Sequence, residues 1–265
     1  EIKELAQPTD TVYFSKSTEV AVMGCFEKAS GDEFIVFQSV AAHLDKFGGV
    51  ALGTTTTKAV WSRYLSAEDG AEAPPAVVLW TAFDPDTGKI RKGKKTKLVF
   101  AGPFTYAALY KFLVRESQPL VLRLPEREGP DFQKRQQLAM QSGFPKLFVF
   151  HGKEKDASEA LVQVANENKA KLLVFHYLVN DDKEDEGWNT MNQFGIEYKD
   201  LGKSGAAVIF QGPSMEVFKG DAASAEELGK FVREFVEGQD EFVPKEEAGG
   251  DKKKSKKKKA KKSEM

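Results

Sequence analysis

Short apolar runs alternate with longer stretches of helical periodicity along this chain, and the alternation occurs twice. In the first half, residues 2–5 predict an edge strand. Residues 9–17 predict a short helix with Thr9 or Asp10 as its cap. A strand over 19–26 follows. A helix over 32–46 places Phe34, Phe37, Val40, Ala41, Leu44 and Phe47 at helical spacing and ends at Gly48-Gly49. Then come a strand over 50–53, a helix over 58–65 carrying Val60, Trp61 and Tyr64, and a polar loop over 66–75. Strands over 76–83 and 98–102 are joined by a segment holding an Asp-Pro-Asp-Thr-Gly turn signal. A helix over 104–115 closes the half.

The second half repeats the order. Strands are predicted over 120–124, 146–151 and 171–178, the last apolar enough to be central. Helices are predicted over 130–141, with Pro130 in the first turn, and over 156–168. An acidic loop over 181–186 and a short helix over 187–194 follow. A hairpin of 206–211 and 214–218 turns at Gly212-Pro213, and a helix over 225–237 ends the half. Local matches support the repeat. Lys111-Phe112-Leu113-Val114-Arg115-Glu116 is answered by Lys230-Phe231-Val232-Arg233-Glu234, Val20-Ala21-Val22-Met23 by Leu147-Phe148-Val149-Phe150, and Ala76-Val77-Val78-Leu79-Trp80 by Ala206-Ala207-Val208-Ile209-Phe210. The alternation alone gives an α/β class. The 265 residues suit two domains, taken as 1–116 and 118–240, with a tail over 241–265.

Charge changes the picture in one place. The net charge is -1, but nine lysines against Asp251 and Glu264 give residues 251–265 a balance of +7, leaving -8 for residues 1–250. The tail has almost no apolar residue to offset its ordering entropy and is expected to be disordered. A solvated tail, an acidic partner, nucleic acid and an anionic membrane surface are all consistent with it. It carries no aromatic residue for base stacking, and the folded part is not expected to bind nucleic acid. The hydrophobic fraction of 41% is that of a globular chain, and no apolar stretch approaches the ~20 residues of a membrane span. The chain starts at Glu1 without a charged-then-apolar leader, which leaves a removed signal peptide and a trimmed start both open.

Candidate chemistry is sparse. The single cysteine, Cys25, can form neither an internal disulfide nor a CxxC pair and reads as a buried small hydrophobe. A structural zinc site is excluded by ligand count, and no cofactor is called for. His43, His151 and His176 lie in a helix, at a strand end and in a strand, without a visible partner. The Asp181–Glu186 run is broken by Lys183 and does not fit an EF-hand, so it reads as a solvated loop. The glycine-rich segments lack a phosphate-binding pattern.

Several stretches together resemble the two redox-inactive central domains, b and b′, of protein disulfide isomerases. Glu19-Val-Ala-Val-Met-Gly-Cys-Phe26 is similar to that family's EVAVIGFF strand. The unit from Phe37-Gln38-Ser39-Val40-Ala41 to Gly53, followed by Trp61-Ser-Arg-Tyr64, resembles the next helix–strand–helix. Gln118-Pro119-Leu120-Val121 resembles the LPLV that opens b′, Lys171-Leu-Leu-Val-Phe175 its KILFIF strand, and Phe231-Val-Arg-Glu-Phe-Val-Glu-Gly238 its closing segment. The resemblance covers roughly residues 1–240 and implies two tandem thioredoxin-like domains. At the two places where catalytic relatives carry CxxC, this chain reads Glu27-Lys28-Ala29-Ser30 and Gly152-Lys153-Glu154-Lys155. Without an attacking thiolate there is no thiol–disulfide exchange. Pro75 falls where the family carries a proline, usually cis, before the fourth strand, and Gly205-Ala206 takes that place in the second half.

The resemblance implies a non-catalytic module that holds unfolded or hydrophobic polypeptide, with a catalytic disulfide isomerase as a further partner. Candidate lining residues are Leu122, Phe132, Leu147, Phe148, Met191 and Phe194. Phe132 leads because it falls where the family's pocket aromatic lies. A scaffold that docks different partners on its acidic body and basic tail is the alternative. An enzyme reading, such as a glutathione-transferase-like activity, ranks third because the first half lacks a sheet-then-helical-domain composition. The family's home implies the endoplasmic reticulum lumen. Lys262-Ser263-Glu264-Met265 is a poor match to a KDEL-type signal, and the lysine run leaves cytoplasm or nucleus as alternatives. Oligomeric state is not legible.

Overall fold

Two periodicities, two for strands and 3.6 for helices, fold here into two five-stranded sheets, each flanked by helices on both faces. The structure is a computed structural model and describes residues 1–84, 89, 91, 93–124, 131–152, 158–202, 205–239 and 244. The first sheet holds β1 (Lys3–Glu4), β2 (Val20–Cys25), β3 (Ala51–Thr55), β4 (Ala76–Thr81) and β5 (Thr96–Phe100). Its order is β1-β3-β2-β4-β5, with β1, β3 and β2 parallel and β4 and β5 antiparallel. The helices are α1 (Pro8–Lys16), α2 (Asp32–Phe47), α3 (Lys58–Trp61) and α4 (Tyr106–Glu116).

The second sheet holds β6 (Val121–Leu124), β7 (Lys146–Gly152), β8 (Leu173–Val179), β9 (Ala206–Gln211) and β10 (Ser214–Phe218). Its order is β10-β9-β7-β8-β6, with the same parallel and antiparallel pairing. Its helices are α5 (Phe132–Gln141), α6 (Ser158–Glu167), α7 (Glu186–Gln193) and α8 (Ala225–Glu237). The expected repeat is therefore a repeat of topology. β2 and β7 are the central strands, β4 and β9 follow them, and α4 and α8 close each unit. Among the described residues no hydrogen-bonded ladder joins the two sheets.

Local differences from the sequence reading have identifiable causes. The cap of α1 is Gln7, and Asp10 stands at its third position and accepts from the Gln7 N–H at 3.0 Å. Pro8, fixed at a helical φ, starts the helix one residue earlier than Thr9 would. The helix expected over 58–65 keeps α-geometry only to Trp61 and continues as turns, although Val60 is buried as expected. Pro130, Asp156, the Asp-Pro-Asp-Thr-Gly turn beyond Asp84, the lysine tail and Lys262–Met265 lie outside the described residues. The Pro74–Pro75 bond before β4 is cis, as the resemblance implied, and so is Gly102–Pro103.

Helices α2 and α4 cover one face of the first sheet, and α5 and α7 cover one face of the second. These two faces turn toward each other. Their side chains form one apolar cluster, running from Phe37, Leu44 and Leu113 to Leu138, Phe148 and Met191. The outward faces carry separate cores, under α1 and α3 in the first unit and under α6 and α8 in the second.

At the seam the Arg135 side chain, 1% exposed, pairs with Glu19, donates to the Gly49 carbonyl at 3.4 Å, and lies 5.3 Å from the Phe83 ring centroid. Gly49 has φ +78 and stands where a Cβ would come within 2.9 Å of the Asp131 carbonyl, so α5 can approach only a glycine there. Gln118 donates to the Arg135 carbonyl, and buried Arg115 donates to the Lys169 carbonyl at 2.8 Å.

Candidate functional site

The positions that carry redox chemistry in a CxxC domain are filled differently here. β2 runs into Phe26, and Glu27-Lys28-Ala29-Ser30 leads to α2 with no sulfur among them. Cys25 is the last residue of β2, fully buried in the core under α1 and α3, and burial pushes its thiol pKa up to about 12. A thiol in that state offers almost no thiolate near neutrality. In the second unit, Lys153-Glu154-Lys155 lies outside the described residues, and its sequence holds no cysteine.

The histidines behave differently from their sequence reading in one respect. His151 and His176 are both buried, and His151 Nδ1 lies 3.2 Å from His176 Nε2. Gly205 (φ +81) backs onto this pair, and a Cβ there would fall 2.5 Å from the His151 ring. His43 meets Tyr110 edge-on at 5.1 Å. Among the described residues no group of three His, Cys, Asp or Glu side chains converges as metal ligands, and no helix is long and apolar enough to cross a membrane. In the acidic loop, Asp185 caps α7 by accepting from the Trp188 N–H at 3.0 Å, and Asp182 accepts from the Glu184 N–H.

Of the six residues expected to line a polypeptide groove, five share one side of the second sheet. Leu122, Phe132, Phe148 and Met191 are buried in the cluster between the units, and half-buried Phe194 packs against it. Leu147 faces the opposite side, in the core under α6 and α8, because neighbours on a strand point to opposite faces. The expected open lining therefore needs correction. Leu122, Phe132, Leu147, Phe148 and Met191 offer a ligand almost no accessible area in this conformation. Phe132 is held at 5% exposure because it belongs to the shared inter-unit core.

The surface that is open lies one step further along the same face. Phe194 contacts Phe148 at 5.4 Å and Phe210 at 5.9 Å between ring centroids. In β10, Met215 pairs with Phe210 and Val217 with Val208, so both point to this side. Met215 is 51% exposed and Val217 38%. Below them the Lys146 ammonium donates to the Ser142 and Phe144 carbonyls at 2.6 and 2.9 Å and lies 5.7 Å from the Phe210 centroid. Burial lowers its pKa to about 8. This staple closes the end of α5 and fixes the floor of the apolar strip.

The first unit shows what a closed version looks like. There Trp80 takes the place of Phe210, and its register partner is Lys97, not a methionine. Lys97 is tied to Asp69 at 2.5 Å and to the Tyr64 carbonyl at 3.1 Å, and Asp69 also accepts from Ser66. Tyr64 then stands edge-on to Trp80 at 5.2 Å. The loop over 66–75 is thus pinned across the strip that the second unit leaves uncovered. The sequence reading missed Phe210, Met215 and Val217. Their signal was present as alternation in Ser214-Met215-Glu216-Val217, an edge strand with apolar residues on one face.

Comparison with known proteins agrees with this architecture. Human ERp44 in a zinc-bound form superposes with a TM-score of 0.53 at 18% identity, covering 89% of this chain and 60% of that one. The chain thus spans about three fifths of that protein's length. ERdj5 form II (TM-score 0.37, 12% identity, 89% of this chain and 30% of that one) and the first two thioredoxin domains of Saccharomyces cerevisiae Eps1p (0.29, 11%, 86% and 97%) are more distant. The likeness to ERp44 shows the fold: a pair of thioredoxin-like units. No protein-family model matches the chain, and no curated protein matches it by sequence.

Proposed function

We propose that this chain is a non-catalytic polypeptide-binding module of the protein disulfide isomerase type, holding unfolded or hydrophobic segments on the second unit. The observation that carries the reading is the uncovered strip of Phe194, Phe210, Met215 and Val217, set against the pinned loop over the same place in the first unit. An extended segment would lay alternate apolar side chains on the strip and reach the open edge of β10 with its backbone. With no CxxC in this sequence, the module would supply clients to a catalytic isomerase that carries the redox chemistry. The resemblance supports the endoplasmic reticulum lumen as the place of that work.

The test is fluorescence anisotropy with a labelled hydrophobic peptide and the double variant Met215→Asp/Val217→Lys. Both side chains are exposed, so the variant keeps its fold. The parent is expected to bind with micromolar affinity, about -8 kcal/mol, and the variant at least ten-fold more weakly. A parent that binds no peptide, or a folded variant that binds as well as the parent, refutes the proposal.

A further inference from the structure

Away from the apolar strip, a cavity of about 570 Å³ opens where the end of α1 and the β4–β5 connection meet the start of α5. That volume lies within the range of small-molecule sites. Among the described residues its walls carry Lys16, Arg91, Lys94 and Lys95 against Glu19 and Asp131. Both carboxylates are already held from behind the wall, Glu19 by Arg135 and Asp131 by Lys134 at 3.5 Å. Arg91 is paired with Asp84. Among the described residues, Lys16 and Lys94 have no ion-pair partner. Lys95 donates to the Thr18 carbonyl, and Glu19 is the charge that acts on it.

A net positive cavity is unexpected here, because residues 1–250 carry -8. Lys16 also answers the carbonyl end of α1, but that role does not account for Lys94 and Lys95. Lys95 is half-buried, and desolvation lowers its pKa to about 8. A half-buried ammonium with one carbonyl partner gains most from an anion brought to it.

We propose that this cavity binds a small polyanion bearing two or more adjacent phosphate groups. Three amines from two separate elements match several negative charges at once and exceed what one carboxylate can satisfy. The volume exceeds the needs of a single phosphate and leaves room for an attached organic group. A cavity of this limited size favours a small molecule over an extended chain of nucleic acid.

The experiment is isothermal titration calorimetry of the full chain with inorganic pyrophosphate and with ATP, without metal, at low and physiological salt. Lys95→Met and Lys94→Glu are compared with Lys58→Glu, an exposed lysine on α3, and thermal unfolding checks that each variant is folded. The expected result is binding by the parent that weakens at least ten-fold in Lys95→Met and Lys94→Glu and less than two-fold in Lys58→Glu. Equal loss in all three variants would mean general electrostatics and would overturn the proposal. So would binding that survives both cavity substitutions, which would assign it to the Lys252–Lys262 run. Absence of parent binding at millimolar ligand would overturn it as well. Tighter binding of ATP than of pyrophosphate would indicate that the organic group is held too.

Discussion

Arg135→Ala should loosen the seam between the two units, and the structure gives the size of the effect. Arg135 is 1% exposed, while its partner Glu19 keeps 18% side-chain exposure and has Lys95 nearby. Breaking a buried pair by removing one partner costs about 3–5 kcal/mol. The partial exposure of Glu19 puts this case near the lower figure, about 3 kcal/mol. Loss of the two buried methylenes beyond Cβ adds about 0.8 kcal/mol each, bringing Arg135→Ala to about 4.6 kcal/mol. Arg135→Met keeps the stem and should show the smaller loss. In a cycle of Arg135→Met, Glu19→Gln and the double variant, the coupling should be about 1.5–3 kcal/mol. Urea unfolding followed by tryptophan emission measures it, and Trp61 and Trp80 report on the first unit while Trp188 reports on the second. A coupling below about 0.5 kcal/mol would refute the argument that this pair holds the seam.

Three further outcomes are expected. The purified chain should reduce insulin no faster than dithiothreitol alone, and Cys25 should resist Ellman's reagent until denaturant is added; turnover above background, or rapid native labelling, would contradict the burial argument. Phe132→Asp should unfold the second unit, because a buried unpaired carboxylate costs several kcal/mol; a variant with unchanged thermal unfolding would show that Phe132 is not core. Stability should rise between pH 8 and 10. The folded pKa of Lys146 is about 8 against an ordinary 10.5, so in that window the unfolded chain binds more protons and loses them as pH rises. The full gain is about 3 kcal/mol; Lys95, also lowered to about 8, adds to the rise, so Lys146→Met should reduce the slope without abolishing it. Cys25 and Tyr177, both pushed up to about 12 by burial, work in the opposite sense, Cys25 from about pH 9 and Tyr177 above pH 10.

The order of elements was legible because each one carries its own periodicity. Phe34, Phe37, Val40, Ala41 and Leu44 face one core at helical spacing, and Val20 to Cys25 is buried throughout, as a central strand should be. The seam was not legible. Arg135 lies in a helix with Gln133, Lys134, Gln136 and Gln137 around it, and its partner Glu19 is 116 residues away. Nothing local marks this arginine as buried. The His151–His176 contact is hidden in the same way, since it depends on the stagger that sets Val149, not His151, beside His176.

The candidate face was half legible, and the reason lies in what apolar residues alone can say. Phe148 and Leu147 are equally hydrophobic neighbours, but strand alternation sends them to different cores. Hydrophobicity marks where a chain can bury surface, and exposure depends on what the rest of the fold places above it. In the first unit, a lysine opposite Trp80 recruits Asp69 and brings a loop down over the strip. In the second, a methionine opposite Phe210 offers no charge to recruit one. A lysine in the register together with an aspartate to meet it therefore separates a covered face from an open one on the same scaffold. Met215→Lys would then place an ammonium beside Phe210 with no Asp69 counterpart to meet it, leaving the strip uncovered and less apolar.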